Sequence, residues 1–401
     1  MNEYIQLLKS EPILKRLSVI QLISYFGAWF SNIAIYTLLL EMNVSASVIA
    51  FVAMLHFLAG VFQAPFSGPI IDSFKPKRLM LFILLIEMLA TFSLILVNSI
   101  DDLTFLYVLI FFKMAAASFY FTTEMSLLPK VLGARKLQKA NEMHSIIWSL
   151  SYTLGMSLGG FVVYIFGIKL AFFIDGMMFL GAYTLLATLK IEIDVIKKSE
   201  NFIQMMRGTF YYLKKEKLAL QLMILHAFVG LTAFDALVAL MVDKYYASIL
   251  ATSLALGLLH SSRALGLVLG PVILSKYLKH KFVVYVFIGQ AVAVIVWALV
   301  MSNFYLSLLA SVFVGLFTTT LWSYTYTLLQ KNIDEKYYGR IVAYNDMLFL
   351  SSAAFTSFMI GYLATHNISL ETITILMAGG FVVGGLYFVW ILKHNTIEEI
   401  G

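Results

Sequence analysis

Five ionisable side chains lie where they should be costly. Glu87, Lys113, Glu124, Asp235 and Arg263 each fall inside a long, mostly apolar stretch of the chain. In a hydrocarbon solvent such a group costs at least about 2.5–3.5 kcal/mol, so each is a functional candidate by default. A carboxylate there can carry a proton or hold a cation, a lysine can neutralise an acid, and an arginine can grip an anion with a fork of donors. Glu87 and Lys113 lie at a shared depth of about 15 Å, counted at about 1.5 Å of rise per residue. An ion pair between them is therefore expected, structural if permanent and mechanistic if a proton or substrate breaks it. Arg263 has no acid at its own depth, because Asp235 is about 10 Å shallower; it is expected to face a central cavity and attract an anion. Asp175, near the end of its stretch, is expected to reach interfacial water. Glu142 and Asp346 lie near helix starts, where they would complement the helix dipole.

His56 and His260 occupy similar places in the two halves of the chain, and histidine can change charge near physiological pH. Together with Trp29 and Asn32 they are candidates to line a cavity; a packing role is the alternative for each histidine. The chain has no cysteine and its seven histidines are scattered. No metal, cofactor or catalytic residue is expected, and no Walker A pattern points to ATP.

The elements that must position these groups follow from composition. Of 401 residues, 61% are hydrophobic and 12% charged, about half the charge of a soluble domain. The mean hydropathy is +0.89. A bilayer is the expected solvent, and backbone polar groups in a bilayer call for helices. Stretches of about 20 apolar residues recur at 17–40, 46–70, 79–97, 103–128, 145–166, 170–189, 218–241, 250–274, 282–301, 304–328, 341–364 and 371–392. Short alternating segments of a membrane barrel are absent. The first 16 residues lack the layout of a cleaved leader.

With the N-terminus in the cytoplasm, 24 of the 28 Lys and Arg fall on the inner side, two on the outer side, and Lys113 and Arg263 within spans. The asymmetry predicts cytoplasmic N- and C-termini. It also assigns the net charge of +6 to topology rather than to a nucleic-acid partner. The longest link, 190–217, divides the spans six and six. Its Phe202, Met206, Phe210 and Leu213 recur at helical spacing among basic residues, which predicts a helix lying on the inner membrane surface; a solvated linker is the alternative. The expected organisation is thus a six-helix bundle over 1–189, a linker over 190–217 and a second six-helix bundle over 218–401.

The halves echo each other. "LLPKVLGARKLQKANEMHSI" (127–146) and "LLQKNIDEKYYGRIVAYNDM" (328–347) align at an offset of 201, as do Gly160 and Gly361. Gly68-Pro69 matches Gly270-Pro271 at 202. Parallel repeats of six spans are the pattern of one large transporter class.

With these features the sequence resembles the major facilitator superfamily over essentially its whole length. The link between spans 2 and 3, "SGPIIDSFKPKR", carries Gly68, Asp72, Lys77 and Arg78 in the family's pattern, with Ser73 where Arg is usual and Lys75-Pro76 where Gly-Arg is common. Span 5 reads "GMSLGG", with Gly155, Gly159 and Gly160 matching an antiporter motif whose proline is here Met156. The same stretch also fits a seam of close helix packing. "LLPKVLGARKLQKAN" and Gly339-Arg340 look most like the bacterial branch of macrolide-efflux and siderophore exporters, although span 1 has Gly27-Ala28 where that branch often has Gly-Asp. The resemblance implies the major facilitator fold, all-α and integral to the membrane, with two pseudo-symmetric bundles. It implies a proton-coupled exporter of small amphipathic molecules in a bacterial inner membrane, expected to be a monomer. It also implies that Asp72, following span 2 in a turn shaped by Gly68 and Pro69, faces the start of span 11 near Arg340 and latches the inner faces together. The alternatives are an importer or uniporter of a small solute and, in another class, a membrane enzyme or receptor-like scaffold.

Overall fold

A computed structural model describes residues 2–132, 134–191, 202–274, 280–334 and 338–397. Of the sequence candidates, the side chains of Gly68, Asp72 and Glu142 lie outside the described residues. The described chain is helical: α1 (Asn2–Ser10), α2 (Pro12–Glu41), α3 (Ala46–Ser73), α4 (Pro76–Ser93), α5 (Leu103–Val131), α6 (Ala134–Phe166), α7 (Ile168–Thr188), α8 (Phe202–Lys215), α9 (Lys217–Ala227), α10 (Asp235–Met241), α11 (Thr252–Leu274), α12 (His280–Val300), α13 (Phe304–Lys331), α14 (Tyr338–Thr365) and α15 (Leu370–His394). Among the described residues, 12 helical segments are long and apolar enough to cross a membrane. They are the twelve expected spans: α2–α7 are spans 1–6, α9 and α10 together make span 7, and α11–α15 are spans 8–12.

Local chemistry sets the ends. Pro12 and Pro76 open α2 and α4, where the missing N–H costs nothing and the ring pre-sets φ. Asn303 and Ser369 cap α13 and α15 by accepting from Leu306 N at 3.1 Å and Thr372 N at 3.2 Å. Asn43 and Asn367 take the left-handed conformation (φ 53° and 61°) in the tight links after α2 and α14, a role asparagine fills at low cost.

Two local expectations are corrected. Gly68, Pro69 and Asp72 do not form the turn after span 2; α3 continues through Ser73, so Asp72 is in its last turn. Phe74 and Lys75 suffice as the link, because Pro76 already starts the next helix. Span 7 is not one continuous helix. It passes from α9 through a 3₁₀ stretch at Phe228–Thr232 into α10, and ends in a π-helical turn at Val242–Tyr246.

The chain forms two compact units. The first comprises 1–43, 62–198 and 253–261; the second comprises 44–61, 199–252 and 262–401. They follow the sequence halves except that the first part of α3 groups with the second unit and the first part of α11 with the first. In the first unit α2 packs on α6 and α7, and α4 on α5 and α7. In the second, α12 packs on α13 and α15, and α14 on α9 and the 3₁₀ stretch. Large apolar side chains such as Phe82 (61% exposed), Val272 (73%) and Leu299 (71%) point outward. Exposure on this scale suits lipid as the solvent.

Candidate functional site

The strongest polar feature of the first unit is a buried charge network. Lys113 Nζ on α5 is 2.6 Å from Asp175 Oδ2 on α7, and donates to Thr91 Oγ1 on α4 at 2.8 Å. Ser31 on α2 donates to the same Asp175 oxygen. All four side chains are buried, Asp175 completely. The Lys113 ammonium also lies over the Phe179 ring, 5.1 Å from its centroid. Gly27 makes the arrangement fit, because a Cβ built there would collide with Asp175 Oδ1.

This corrects two expectations. Lys113 pairs with Asp175, not with Glu87, and Asp175 does not reach interfacial water. Equal depth brought Glu87 and Lys113 to one level of the bundle but did not turn them toward each other. Asp175 is less deep along α7, and the four-carbon lysine stem spans the difference. The sequence carries no direct signal for this contact, because it depends on how α7 packs against α2 with Gly27 opposite Asp175. Glu87 is nevertheless close. It is buried one helical turn before Thr91 and within electrostatic range of both Lys113 and Asp175. It makes no hydrogen bond or ion pair among the described residues.

A second polar cluster in the same unit adjoins the first through Tyr25 and Tyr120, each within electrostatic range of Glu87 as well as Glu124. Glu124 on α5 is 1% exposed, and neither carboxylate oxygen has a hydrogen-bond partner among the described residues. Gln21 on α2 approaches it, but at hydrogen-bonding distance the Gln21 amide meets His144 Nδ1, at 2.6 Å. Tyr25 stands edge-on to the His144 ring at 5.8 Å, and Phe121 tilts against it at 5.2 Å. Tyr25 and Tyr120 are both within electrostatic range of Glu124. Gln21 and His144 were not predicted from the sequence.

The second unit holds a counterpart. His226 on α9 is fully buried, and its Nδ1 is 2.8 Å from Thr325 Oγ1 on α13. Thr325 directs its own proton to the Leu321 carbonyl, at 2.8 Å. The threonine therefore accepts from His226 Nδ1–H, which leaves Nε2 as a bare acceptor; Nε2 has no partner among the described residues. Trp322, Tyr326 and Phe349 surround the imidazole with centroids at 5.8, 5.4 and 5.5 Å. The 201-residue offset relates the two clusters position by position. Tyr25 corresponds to His226, Phe121 to Trp322, Glu124 to Thr325 and His144 to Asn345. That offset, applied beyond the links, was the signal that could have found His144 and His226.

Arg263 on α11 donates to the Thr232 carbonyl at 2.8 Å and lies over the Phe234 ring at 5.1 Å. Both partners belong to the broken stretch of span 7. Its Nε has no partner, and no acid forms an ion pair with it, among the described residues. Asp235 is half-buried in the first turn of α10 and likewise makes no ion pair there.

The other candidates have mostly packing contacts. His56 Nδ1 meets the Val52 carbonyl at 2.8 Å, and His260 Nδ1 meets the Tyr152 hydroxyl at 3.2 Å. Trp29 stands edge-on to Trp148 and Tyr152, and Asn32 is buried. Gly155 and Gly159 let α6 close on α2: added Cβ atoms would lie 2.7 Å from Trp29 Cβ and 3.1 Å from Phe30 Cα. Gly160 sits against the first turns of α11, with Ser253 O at 2.5 Å from such a Cβ. Lys77 donates to the Ala187 carbonyl at the end of α7, at 2.8 Å, and Arg78 is exposed. Arg340 is half-buried.

Residues 17–345 match the Major Facilitator Superfamily. The chain belongs to the major facilitator superfamily. As a major facilitator chain it is a multi-pass membrane transporter. Over 181 residues it is 28% identical to the uncharacterized MFS-type transporter YfiS of Bacillus subtilis (strain 168), a match spanning 45% of this chain and 43% of that one. Its fold is shared with an auto-inhibited POT family peptide transporter (TM-score 0.75, 13% identity, 97% of this chain and 98% of that one). It is shared equally with a D-xylose-proton symporter (TM-score 0.73, 12% identity, 94% and 96%) and a mutant of the nucleoside transporter NupG (TM-score 0.72, 15% identity, 95% and 100%).

Proposed function

We propose that this transporter is a proton-coupled exporter of small amphipathic organic molecules, working by alternating access in a bacterial inner membrane with both termini cytoplasmic. One observation carries the proton coupling: Lys113 is held by Asp175 while Glu87 lies in electrostatic range of both. One cation and two carboxyl groups are neutral together only with one proton aboard. The proton can reside on Glu87 while Asp175 holds the lysine. If Lys113 swings to Glu87, the proton belongs on Asp175, and the pair changes partners without leaving an uncompensated charge in the membrane. Such an exchange is a two-state element that a proton gradient can bias.

Export is supported by the likeness of "LLPKVLGARKLQKAN" and "GMSLGG" to the exporter branch. Arg263, tied to the non-helical part of span 7, is a second polar anchor for cargo; broken helices commonly mark binding regions in transporters. The basic side of the chain gives the orientation, and the α8 helix is assigned to the inner membrane surface. Asp72 is read, from the family pattern of its motif, as a gating residue.

The experiment is transport by purified protein in liposomes with an imposed pH gradient, read with a trapped pH dye while drugs, siderophores and lipid-like compounds are added in turn. At least one compound should release protons across the membrane in exchange for its own movement. A protein that moves such compounds at a rate indifferent to the gradient would overturn the proposal.

A further inference from the structure

The two repeat-related clusters differ at one telling position. Thr325 is fully satisfied, donating to Leu321 and accepting from His226. At the equivalent place Glu124 is as deeply buried but leaves both oxygens without a partner among the described residues. A neutral residue therefore serves the packing of this scaffold, and the acid is not a requirement of the fold. An unpaired polar group at that burial is expensive, and a carboxylate more so. A buried carboxyl persists either as the neutral acid or as a carboxylate beside a countercharge.

Among the described residues no cation supplies that charge. Lys113, on the same helix, is committed to Asp175 and Thr91, and no Lys or Arg forms an ion pair with Glu124 among the described residues. What surrounds Glu124 is aromatic and weakly polar: Tyr25 and Tyr120, Phe121 one turn away, and the Gln21–His144 pair. The Tyr120 hydroxyl is also buried without a hydrogen-bond partner among the described residues. An inorganic cation requires several converging oxygens, which rings do not provide. An organic cation suits the site better, because a carboxylate takes its charge and aromatic faces take both charge and hydrocarbon.

We propose that Glu124, with Tyr25, Tyr120 and Phe121, is the recognition site for an organic monocation, an ammonium-type group on an apolar body. This deepens the exporter reading and rests on it, by naming the charge of the cargo. It also gives Glu124 a role separate from Glu87: Glu87 shares a lysine with Asp175, whereas Glu124 waits for a cation from outside the chain.

The test is equilibrium binding to the full chain in lipid nanodiscs, with tetraphenylphosphonium and, in separate measurements, its isosteric anion tetraphenylborate. Wild type should bind the cation and discriminate against the anion. Glu124→Gln, which keeps the shape and removes the charge, should weaken cation binding by about tenfold or more, as expected for a lost charge-assisted contact; binding of the anion should not weaken. Glu124→Asp, which keeps the charge, should retain the discrimination. Wild type binding both ions equally overturns the proposal without recourse to any variant. So does undiminished cation binding by a folded Glu124→Gln. No proton movement enters this measurement, so its failure and the failure of gradient-driven export are distinguishable.

Discussion

Replacing Asp175 by asparagine should be among the most damaging single changes in the first unit. The carboxylate oxygen lies 2.6 Å from Lys113 Nζ, with both side chains at most 5% exposed. After Asp175→Asn the ammonium keeps Thr91 at 2.8 Å and the Phe179 ring at 5.1 Å, neither of which compensates a full charge, and Glu87, in electrostatic range, can do so only by giving up a proton and drawing the lysine away from these contacts. Breaking a buried pair from one side costs about 3–5 kcal/mol in soluble proteins, whereas replacing the whole pair can be neutral. Asp175→Asn and Lys113→Met should each lower stability by about that amount, and the double variant should recover to within about 1 kcal/mol of wild type. Thermal unfolding followed by tryptophan fluorescence in detergent, with monodisperse yield alongside, reads this directly. The five tryptophans avoid the need for a cysteine dye. If the single effects instead add within about 0.5 kcal/mol, the residues do not act as partners, and the charge-exchange argument for proton coupling goes with them.

Three further outcomes are expected. Gly27→Val would drive a side chain into Asp175 Oδ1 and Met178; overpacking of this kind costs about 1–3 kcal/mol, and the loss should be smaller in the Asp175→Ala background, as unfolding curves would show. Arg263→Ala should remove a charged hydrogen bond to the Thr232 carbonyl, worth about 1.5–3 kcal/mol, and speed amide exchange across residues 228–241; unchanged exchange would remove Arg263 as the anchor of the broken span. Asp72→Asn should leave expression near normal and reduce transport, with fewer cross-links between cysteines placed on the inner faces of the two halves.

The twelve spans were legible because hydropathy alone decides which segments can face lipid, and that solvent leaves helices as the economical form. The repeat was legible in the links, where "LLPKVLGARKLQKAN" and "LLQKNIDEKYYGRIV" keep their register. Side-chain partners were not. Asp175 sits only a few residues from the end of its span, and its meeting with Lys113 depends on α7 packing against α2 and α4 with Gly27 opposite. No pattern within one helix encodes that four-helix contact. The break in span 7 was hidden for a related reason. "HAFVGLTAFD" is apolar enough to read as one helix, and its only local breaker is Gly230, whose added Cβ would lie 2.8 Å from the α14 backbone at Ala353 and Phe349. The Gly68-Pro69 turn failed in the opposite direction: two residues that favour turns in water remain inside a helix that has no alternative partner for its backbone.

The central claim is that Glu87 carries the coupled proton beside a lysine held by another acid, and one comparison tests it most directly. Wild type and Glu87→Gln are reconstituted in liposomes, and substrate exchange at equal pH is measured beside transport driven by a pH gradient. Glu87 makes no hydrogen bond or ion pair among the described residues, so Glu87→Gln should fold normally and exchange substrate at close to the wild-type rate. Transport against a substrate gradient, driven by pH, should be lost. Gradient-driven transport that survives in Glu87→Gln would contradict the account.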